Sequence, residues 1–159
     1  MKQWLLMGLV ALIGVQCKSM SEDAVNLQGC ASEQPTLIGK WTMTEFRYFG
    51  GCCPVIADSA WKKADENSYL IEFTANGKLK VTNNTPGAGN GLVANAPAQL
   101  ATDFTFDGKE ITMDEQILGG GLWYKKAEVS KLTTTALVLT IVVGKEGEKN
   151  TRRFVRVCP

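Results

Sequence analysis

The chain has 159 residues, of which 45% are hydrophobic and 21% charged, a length and composition typical of one globular domain. Its 17 basic and 16 acidic side chains give a formal charge of +1 without a clustered basic stripe, so no nucleic-acid partner is expected. Histidine is absent, which removes the commonest general base and metal ligand. We therefore expect a protein that is not an enzyme and that needs no metal and no cofactor.

The N-terminus is typical of an export signal. Lys2 precedes an apolar run at 4–15 that is too short to span a bilayer comfortably. Cys17 follows at once, which resembles bacterial lipoproteins, where the cysteine thiol is acylated, for example with palmitate, and the cysteine becomes the new first residue. We expect a signal peptide at 1–16 and a lipidated Cys17 with a polar tether at 17–35, similar to tethers of the Bacteroidota. The alternative is a soluble secreted protein with a free or mispaired Cys17.

The third segment, 36–159, has the pattern of an antiparallel all-β domain, because apolar and β-branched runs recur at short spacing between turn residues. The dipeptides at 76–77 and 107–108, Asn-Gly and Asp-Gly, predict hairpins with primed turns. The connections at 50–67 and 85–100 are long enough to be functional or lid-like. The eight predicted strands span 37–49, 68–75, 78–84, 101–107, 110–115, 122–132, 136–143 and 150–157.

An even number of up-and-down strands allows the last strand to pair with the first, so the predicted fold is a closed eight-stranded antiparallel barrel. A small all-β envelope domain of the META type is the alternative and would differ in strand order. Residues 58–66 within the first long connection can form one or two helical turns.

Two positions give the barrel a family resemblance. Gly39 and Trp41 form a Gly-x-Trp at the first strand, and Arg156 lies in the last strand, on the same face as Phe154 and Arg152. A Gly-x-Trp with an arginine on the closing strand resembles the lipocalins, over roughly residues 36 to 157. The resemblance implies that Arg156 stacks across Trp41 at the barrel floor, a structural role, and that the first long loop covers the open mouth.

Alternation along the first strand predicts which side chains enter the barrel. Taking Trp41 as inward, the period of two also places Met43, Glu45 and Arg47 inside. Glu45 and Arg47 would then be polar handles near the mouth of an apolar pocket, as small-molecule sites are usually built. The alternative is a bulge that turns both to solvent, or an ion pair between them.

Further candidates lie on strand two and near the mouth. Tyr69 and Phe73 are predicted to point inward. Trp61 and Trp123 would line a ligand entrance or a partner surface, with ordinary lid packing as the alternative. The predicted ligand-binding residues are Met43, Glu45, Arg47, Trp61, Tyr69, Phe73 and Trp123.

Besides Cys17 there are cysteines at 30, 52, 53 and 158, which in an exported chain without histidine predict disulfides before a metal site. Cys52 and Cys53 can form a vicinal disulfide with each other, form disulfides with separate cysteines, or stay reduced. Closure of the barrel places Cys158 beside the start of the first strand, within reach of Cys30. We therefore predict a Cys30–Cys158 disulfide.

Together these features predict a lipoprotein of the bacterial outer membrane, on its periplasmic or surface face, whose barrel binds a small, largely apolar ligand. An amphipathic acid would suit such a barrel, with Arg47 meeting the carboxylate. The alternative is a non-enzymatic interaction or inhibitor module that uses the loops at the mouth to bind an envelope protein. A hydrolase or isomerase inside the barrel is a third hypothesis, against which the absence of histidine counts.

Overall fold

A computed structural model of the chain describes residues 34–49, 60–84, 99–119, 125–142 and 148–158. Within these ranges the protein is all-β and contains no helix. The strands are β1 (Gly39–Phe49), β2 (Lys62–Lys63), β3 (Tyr69–Phe73), β4 (Lys78–Asn83), β5 (Gln99–Phe106), β6 (Glu110–Met113), β7 (Lys126–Leu132), β8 (Ala136–Val142) and β9 (Lys149–Arg156).

The strands form a closed antiparallel barrel. Going round the sheet, β1 is followed by β3 and then by each strand in turn to β9, which pairs back with β1 from Trp41 opposite Arg156 to Phe49 opposite Lys149. Closure removes the free sheet edges. The predicted eight-stranded up-and-down barrel is therefore confirmed, with strand order as expected.

The ninth strand, β2, is additional to the barrel. It pairs with Glu45 and Phe46 of β1. It lies on the same edge of β1 as β3, which pairs with the first part of that strand, residues 39–42. The helical turns expected at 58–66 are not found in the described part of that stretch, where β2 is followed by a turn at 66–67. A two-residue strand is too short to produce a hydrophobic period, so the sequence pattern could not reveal it.

Alternating burial along the strands produces one core inside the barrel. In β3, β4 and β8 every second side chain is buried, as the period of two requires. Ile71, Leu79 and Leu139 have no exposed surface. Each aliphatic or aromatic side chain buried in this way contributes about 1.5–3 kcal/mol. The lower interior is thus a packed core.

The inward prediction for Glu45 and Arg47 is wrong, because β1 contains a bulge. Its register against β9 shifts between Met43 and Glu45, so that Met43 lies opposite Phe154 but Glu45 lies opposite Arg153. A bulge adds one residue to a strand and exchanges its two faces beyond that point. Phe46 is therefore buried, whereas Glu45 and Arg47 lie on the outer face. The alternative of a bulge that turns both outward describes the observed strand.

Both predicted hairpins form, with different turns. At 107–110 the positive φ of 98° belongs to Gly108, the first central residue, where a type II′ turn needs glycine. At 74–78 the amide of Gly77 donates to the Thr74 carbonyl and the Thr74 amide donates to the Lys78 carbonyl. This second loop has three residues with glycine in the bulge position, so the two-residue primed turn expected there is wrong.

Candidate functional site

The lower end of the barrel is closed by an arginine stacked on a tryptophan. Cζ of Arg156 lies 4.1 Å from the centroid of the Trp41 ring. Its Nε and Nη1 donate to the carbonyls of Thr134 and Ile38, both at 2.8 Å, and Nη2 donates to the Thr36 carbonyl. Burial lowers the pKa of Arg156 from its ordinary value. Every guanidinium nitrogen has a backbone partner, so this group ties the N-terminal arm to β9.

Gly39 is required by this closure. Its φ is +136°, a conformation that L side chains rarely adopt, and a Cβ there would overlap Nη1 of Arg156. The Gly-x-Trp motif thus has two separable physical reasons. Trp41 supplies the ring on which the guanidinium lies, and Gly39 supplies the room for it.

Three of the predicted ligand-binding residues come together on the outer wall, not inside the mouth. The Trp61 ring contacts two arginines, with Cζ of Arg153 3.8 Å and Cζ of Arg47 4.7 Å from its centroid. Glu45 accepts a bond from Arg153 Nη1 at 2.6 Å. We call Glu45, Arg47, Trp61 and Arg153 the outer cluster. Its ion pair is partly exposed, and such pairs contribute at most about 1 kcal/mol.

The outer cluster borders a groove of about 620 Å³ that runs over β1, β9, β8 and β7. Among its lining residues are Thr44, Val138, Thr140, Thr151 and Val155. The groove is open to solvent and lies outside the barrel wall. Trp61 therefore does not line an entrance to the interior.

The other predicted contacts point inward. Met43, Tyr69 and Phe73 are each at least 98% buried. Phe73 packs near the floor against Phe104, with ring centroids 5.1 Å apart. Tyr69 lies higher, opposite Asn83 on β4, toward the end where β1 finishes. Trp123, Cys17 and Cys30 lie outside the described residues.

A group of polar side chains lies inside the upper half of the barrel, on the inward faces of β3, β4 and β9. We call Tyr69, Asn83, Asn150 and Arg152 the inner polar cluster; all four are at least 97% buried. Arg152 Nε donates to Oδ1 of Asn150 at 3.4 Å, and Cζ of Arg152 lies 5.1 Å from the Tyr69 ring centroid. One backbone oxygen joins two members, because the Leu118 carbonyl accepts from Arg152 Nη1 and from the Tyr69 hydroxyl.

Several donors and acceptors of this cluster are unused. Among the residues that the structure describes, no hydrogen-bond partner is found for the buried Nη2 of Arg152, Nδ2 of Asn150 and both side-chain polar atoms of Asn83. The same holds for the buried hydroxyl of Ser68, the residue that precedes Tyr69. Within the described ranges Arg152 has no carboxylate partner. An unsatisfied buried polar group costs about 1–3 kcal/mol and an uncompensated charge several. Buried polar groups of native proteins nearly always have a hydrogen-bond partner, ordered water included.

The tyrosines near Arg152 do not supply the missing negative charge. Burial raises the pKa of Tyr69 above its usual 10.0, although the charge and hydrogen bond of Arg152 act in the opposite direction. Burial likewise raises the pKa of Tyr48, against the charge of Arg152. Both phenols are therefore neutral at physiological pH. They can donate hydrogen bonds but cannot neutralise the guanidinium.

Arg152, Asn150 and Asn83 are the members of this cluster that the sequence analysis missed. The sequence contained a signal for Arg152, because it shares a strand face with Phe154 and Arg156. Residues two apart in a strand point to the same side, so if Phe154 points into the core, Arg152 does as well. Cys158 follows β9 and is not a free thiol. Its pairing with Cys30 stays a prediction.

Neither a metal site nor a membrane-spanning helix is found among the described residues. No group of three or more histidine, cysteine, aspartate or glutamate side chains is placed to hold a metal ion. No helix in that part of the chain is long and apolar enough to cross a membrane. Comparison with known proteins gives no assignment either: no family model matches the chain, and no curated protein matches it.

Proposed function

We propose that the protein is a small-molecule binding protein whose barrel takes a small, largely apolar ligand by its polar end. The observation that carries the proposal is Arg152, which is wholly buried, has an unused Nη2 and has no carboxylate partner within the described ranges. Small-molecule sites combine apolar walls with a few buried polar groups that fix the ligand's orientation. The inner polar cluster has that composition.

The position of the packed core determines where the ligand lies. Below Tyr69 the barrel is filled by side chains such as Trp41, Ile71 and Leu137, none of which has exposed surface. An eight-stranded barrel has room for side chains or for one small ligand. The ligand therefore enters from the upper end and binds above the core. Arg152 takes over the role that the sequence analysis gave to Arg47.

The order of the strands in the barrel and the stacked Trp41–Arg156 pair support the lipocalin resemblance. We also propose that the chain is anchored in the bacterial envelope through an acylated Cys17 and acts without catalysis. The support for this part is the sequence of the leader and the absence of histidine.

Binding is tested with Nile red, a neutral apolar fluorescent dye, titrated into the full chain in detergent below its critical micelle concentration. We expect saturable binding with one dye per barrel, and co-purification of a small organic molecule detectable by native mass spectrometry of protein from its own host. Lack of both a saturable dye site and a co-purified molecule would refute the binding function. The control variant Arg153→Gln alters the outer cluster and should bind the dye as the wild type does.

The outer cluster favours a second candidate function, an interaction module for an acidic segment of an envelope protein. Arg47 and Arg153 border the groove, and the exposed Lys62 and Lys63 lie on the neighbouring strand β2. Positive charge in an open groove attracts acidic partners and does so less at high salt. A glutamate-rich peptide should bind in a salt-sensitive manner and be weakened by Arg153→Gln but not by Arg152→Gln. The opposite ranking of the two variants would count against this candidate.

A further inference from the structure

The inner polar cluster determines the chemical class of the ligand, an inference that rests on the proposed function. Arg152 carries one positive charge in the barrel interior, and the nearby Tyr48 and Tyr69 are neutral. The other buried arginine, Arg156, is bonded to three carbonyls at the floor. A charge in a low-dielectric interior is stabilised by an opposite charge of the same size. Among the described residues the cluster therefore lacks one negative charge.

The shape of the Arg152 guanidinium also favours a carboxylate. Nη1 donates to the Leu118 carbonyl, and the adjacent Nη2 has no partner in the described part of the chain. These two nitrogens form one edge of a planar fork, the arrangement that binds both oxygens of a carboxylate. Asn150 holds Nε through its Oδ1, which leaves its unpaired Nδ2 as a further donor beside the fork.

The Leu118 carbonyl occupies the position that one ligand oxygen would take. It accepts hydrogen bonds from both Arg152 and Tyr69, and Leu118 itself has no exposed surface. The residue belongs to the segment after β6, where its amide donates to Gln116 Oε1 at 3.0 Å. A carbonyl dipole neutralises a guanidinium less well than an ionised carboxylate, whose hydrogen bonds are roughly twice as strong.

We propose that the ligand is an amphipathic monocarboxylate that enters carboxylate first, binds Arg152 through both oxygens and replaces the Leu118 carbonyl. The short apolar tail then points toward the upper end, because the floor is already packed. A phosphomonoester dianion is disfavoured, since its second charge would remain uncompensated. A neutral alcohol is disfavoured because it leaves Arg152 unneutralised.

The proposal is tested by displacing Nile red with octanoate, octanol and octyl phosphate, which share one tail length. Octanoate should compete at least about tenfold better than octanol in the wild type, as a charge-assisted bond in a buried site implies. That preference should disappear in Arg152→Gln and persist in Arg153→Gln, the adjacent outward arginine. Equal competition by octanol and octanoate would overturn the carboxylate inference while leaving the binding function standing. Tighter competition by octyl phosphate would overturn the single-charge argument, and a barrel that binds no probe at all would remove the proposed function itself.

Two spectroscopic measurements do not depend on the folding of a variant. Octanoate labelled with carbon-13 at the carboxyl should show a pKa below that of free octanoate when bound, because Arg152 favours the charged form. The carbonyl resonance of labelled Leu118 should shift when octanoate is added and stay in place when octanol is added. An unshifted ligand pKa contradicts the ion pair, and an unmoved Leu118 resonance contradicts the displacement.

Discussion

Replacing Gly39 with alanine should break the closure of the barrel floor. The residue has a φ of +136°, and the new Cβ would overlap Arg156 Nη1, which donates to the Ile38 carbonyl at 2.8 Å. Backbone strain in such a region costs about 1–3 kcal/mol. A lost hydrogen bond from a charged group costs about 1.5–3 kcal/mol more, and the stack on Trp41 is weakened as the guanidinium moves. We expect Gly39→Ala to lower the free energy of unfolding by about 4 kcal/mol, a large part of the usual 5–15 kcal/mol.

Gly108→Ala provides the matched control for this measurement. Gly108 also has a positive φ, +98°, but a Cβ there would meet nothing within 4 Å, so the variant reports backbone strain alone. Both proteins are unfolded with urea and followed by tryptophan fluorescence. The excess loss in Gly39→Ala should vanish when Arg156 is already replaced by glutamine, because contacting residues are not additive. If Gly39→Ala costs no more than Gly108→Ala, the room made for Arg156 is not what the glycine provides.

Four further outcomes are expected. Arg152→Met should raise the free energy of unfolding by about 1–4 kcal/mol, measured as unfolding at a higher urea concentration, because it removes an uncompensated buried charge. Destabilisation would show that a partner already neutralises Arg152. Tyr69→Phe should make the free energy of unfolding less dependent on pH in the alkaline range. Burial raises the pKa of Tyr69 in the folded protein, so its contribution to stability is complete below the unfolded pKa of about 10 and is lost as pH rises through the folded pKa. Identical alkaline pH dependence of wild type and variant would contradict this. Cys17→Ala should move the protein from the membrane to the soluble fraction, whereas wild type found soluble would refute lipidation. Peptide mapping without reduction should recover Cys30 joined to Cys158, a bridge that contributes about 2–4 kcal/mol, and a Cys158 peptide joined to residue 52 or 53 would exclude that pairing.

The strands could be predicted because their information is local. β8 was expected at 136–143 and spans Ala136–Val142, since alternating Leu137, Leu139 and Ile141 signal a half-buried strand by themselves. Met43, Tyr69 and Phe73 were placed inside by the same period. The bulge in β1 was considered only as the alternative, and the sequence could not decide for it, because one inserted residue changes neither composition nor hydrophobicity. It is defined only by the register against β9, and it moved Glu45 and Arg47 to the other face.

The inner polar cluster needed information that no single segment carries. Tyr69 and Asn83 lie opposite each other through the pairing of β3 with β4, and Arg152 on β9 contacts the Tyr69 ring. The bond from Arg152 to Leu118 joins residues 34 positions apart. Alternation could have assigned Arg152 to the inward face, but its lack of a counter-charge is a property of all the elements around it. For this reason the sequence analysis chose Arg47, which lies on the outer face, and not the buried Arg152 that we propose as the partner of a carboxylate.

Arg152 and Arg153 are neighbours in β9 that differ in burial and in charge neutralisation. Arg153 points outward, where Glu45 and the Trp61 ring partner it in a solvated groove. Arg152 points inward and has carbonyl, amide and aromatic contacts but no carboxylate within the described ranges. An exposed arginine can be retained at almost no energetic cost, whereas a buried unneutralised one lowers stability. Functional sites are where proteins tolerate such a cost, because an apolar side chain would stabilise the fold but recognise no charged group. The same strand therefore contains the residue that we expect to determine ligand class and the control that shares its chemistry but not its environment.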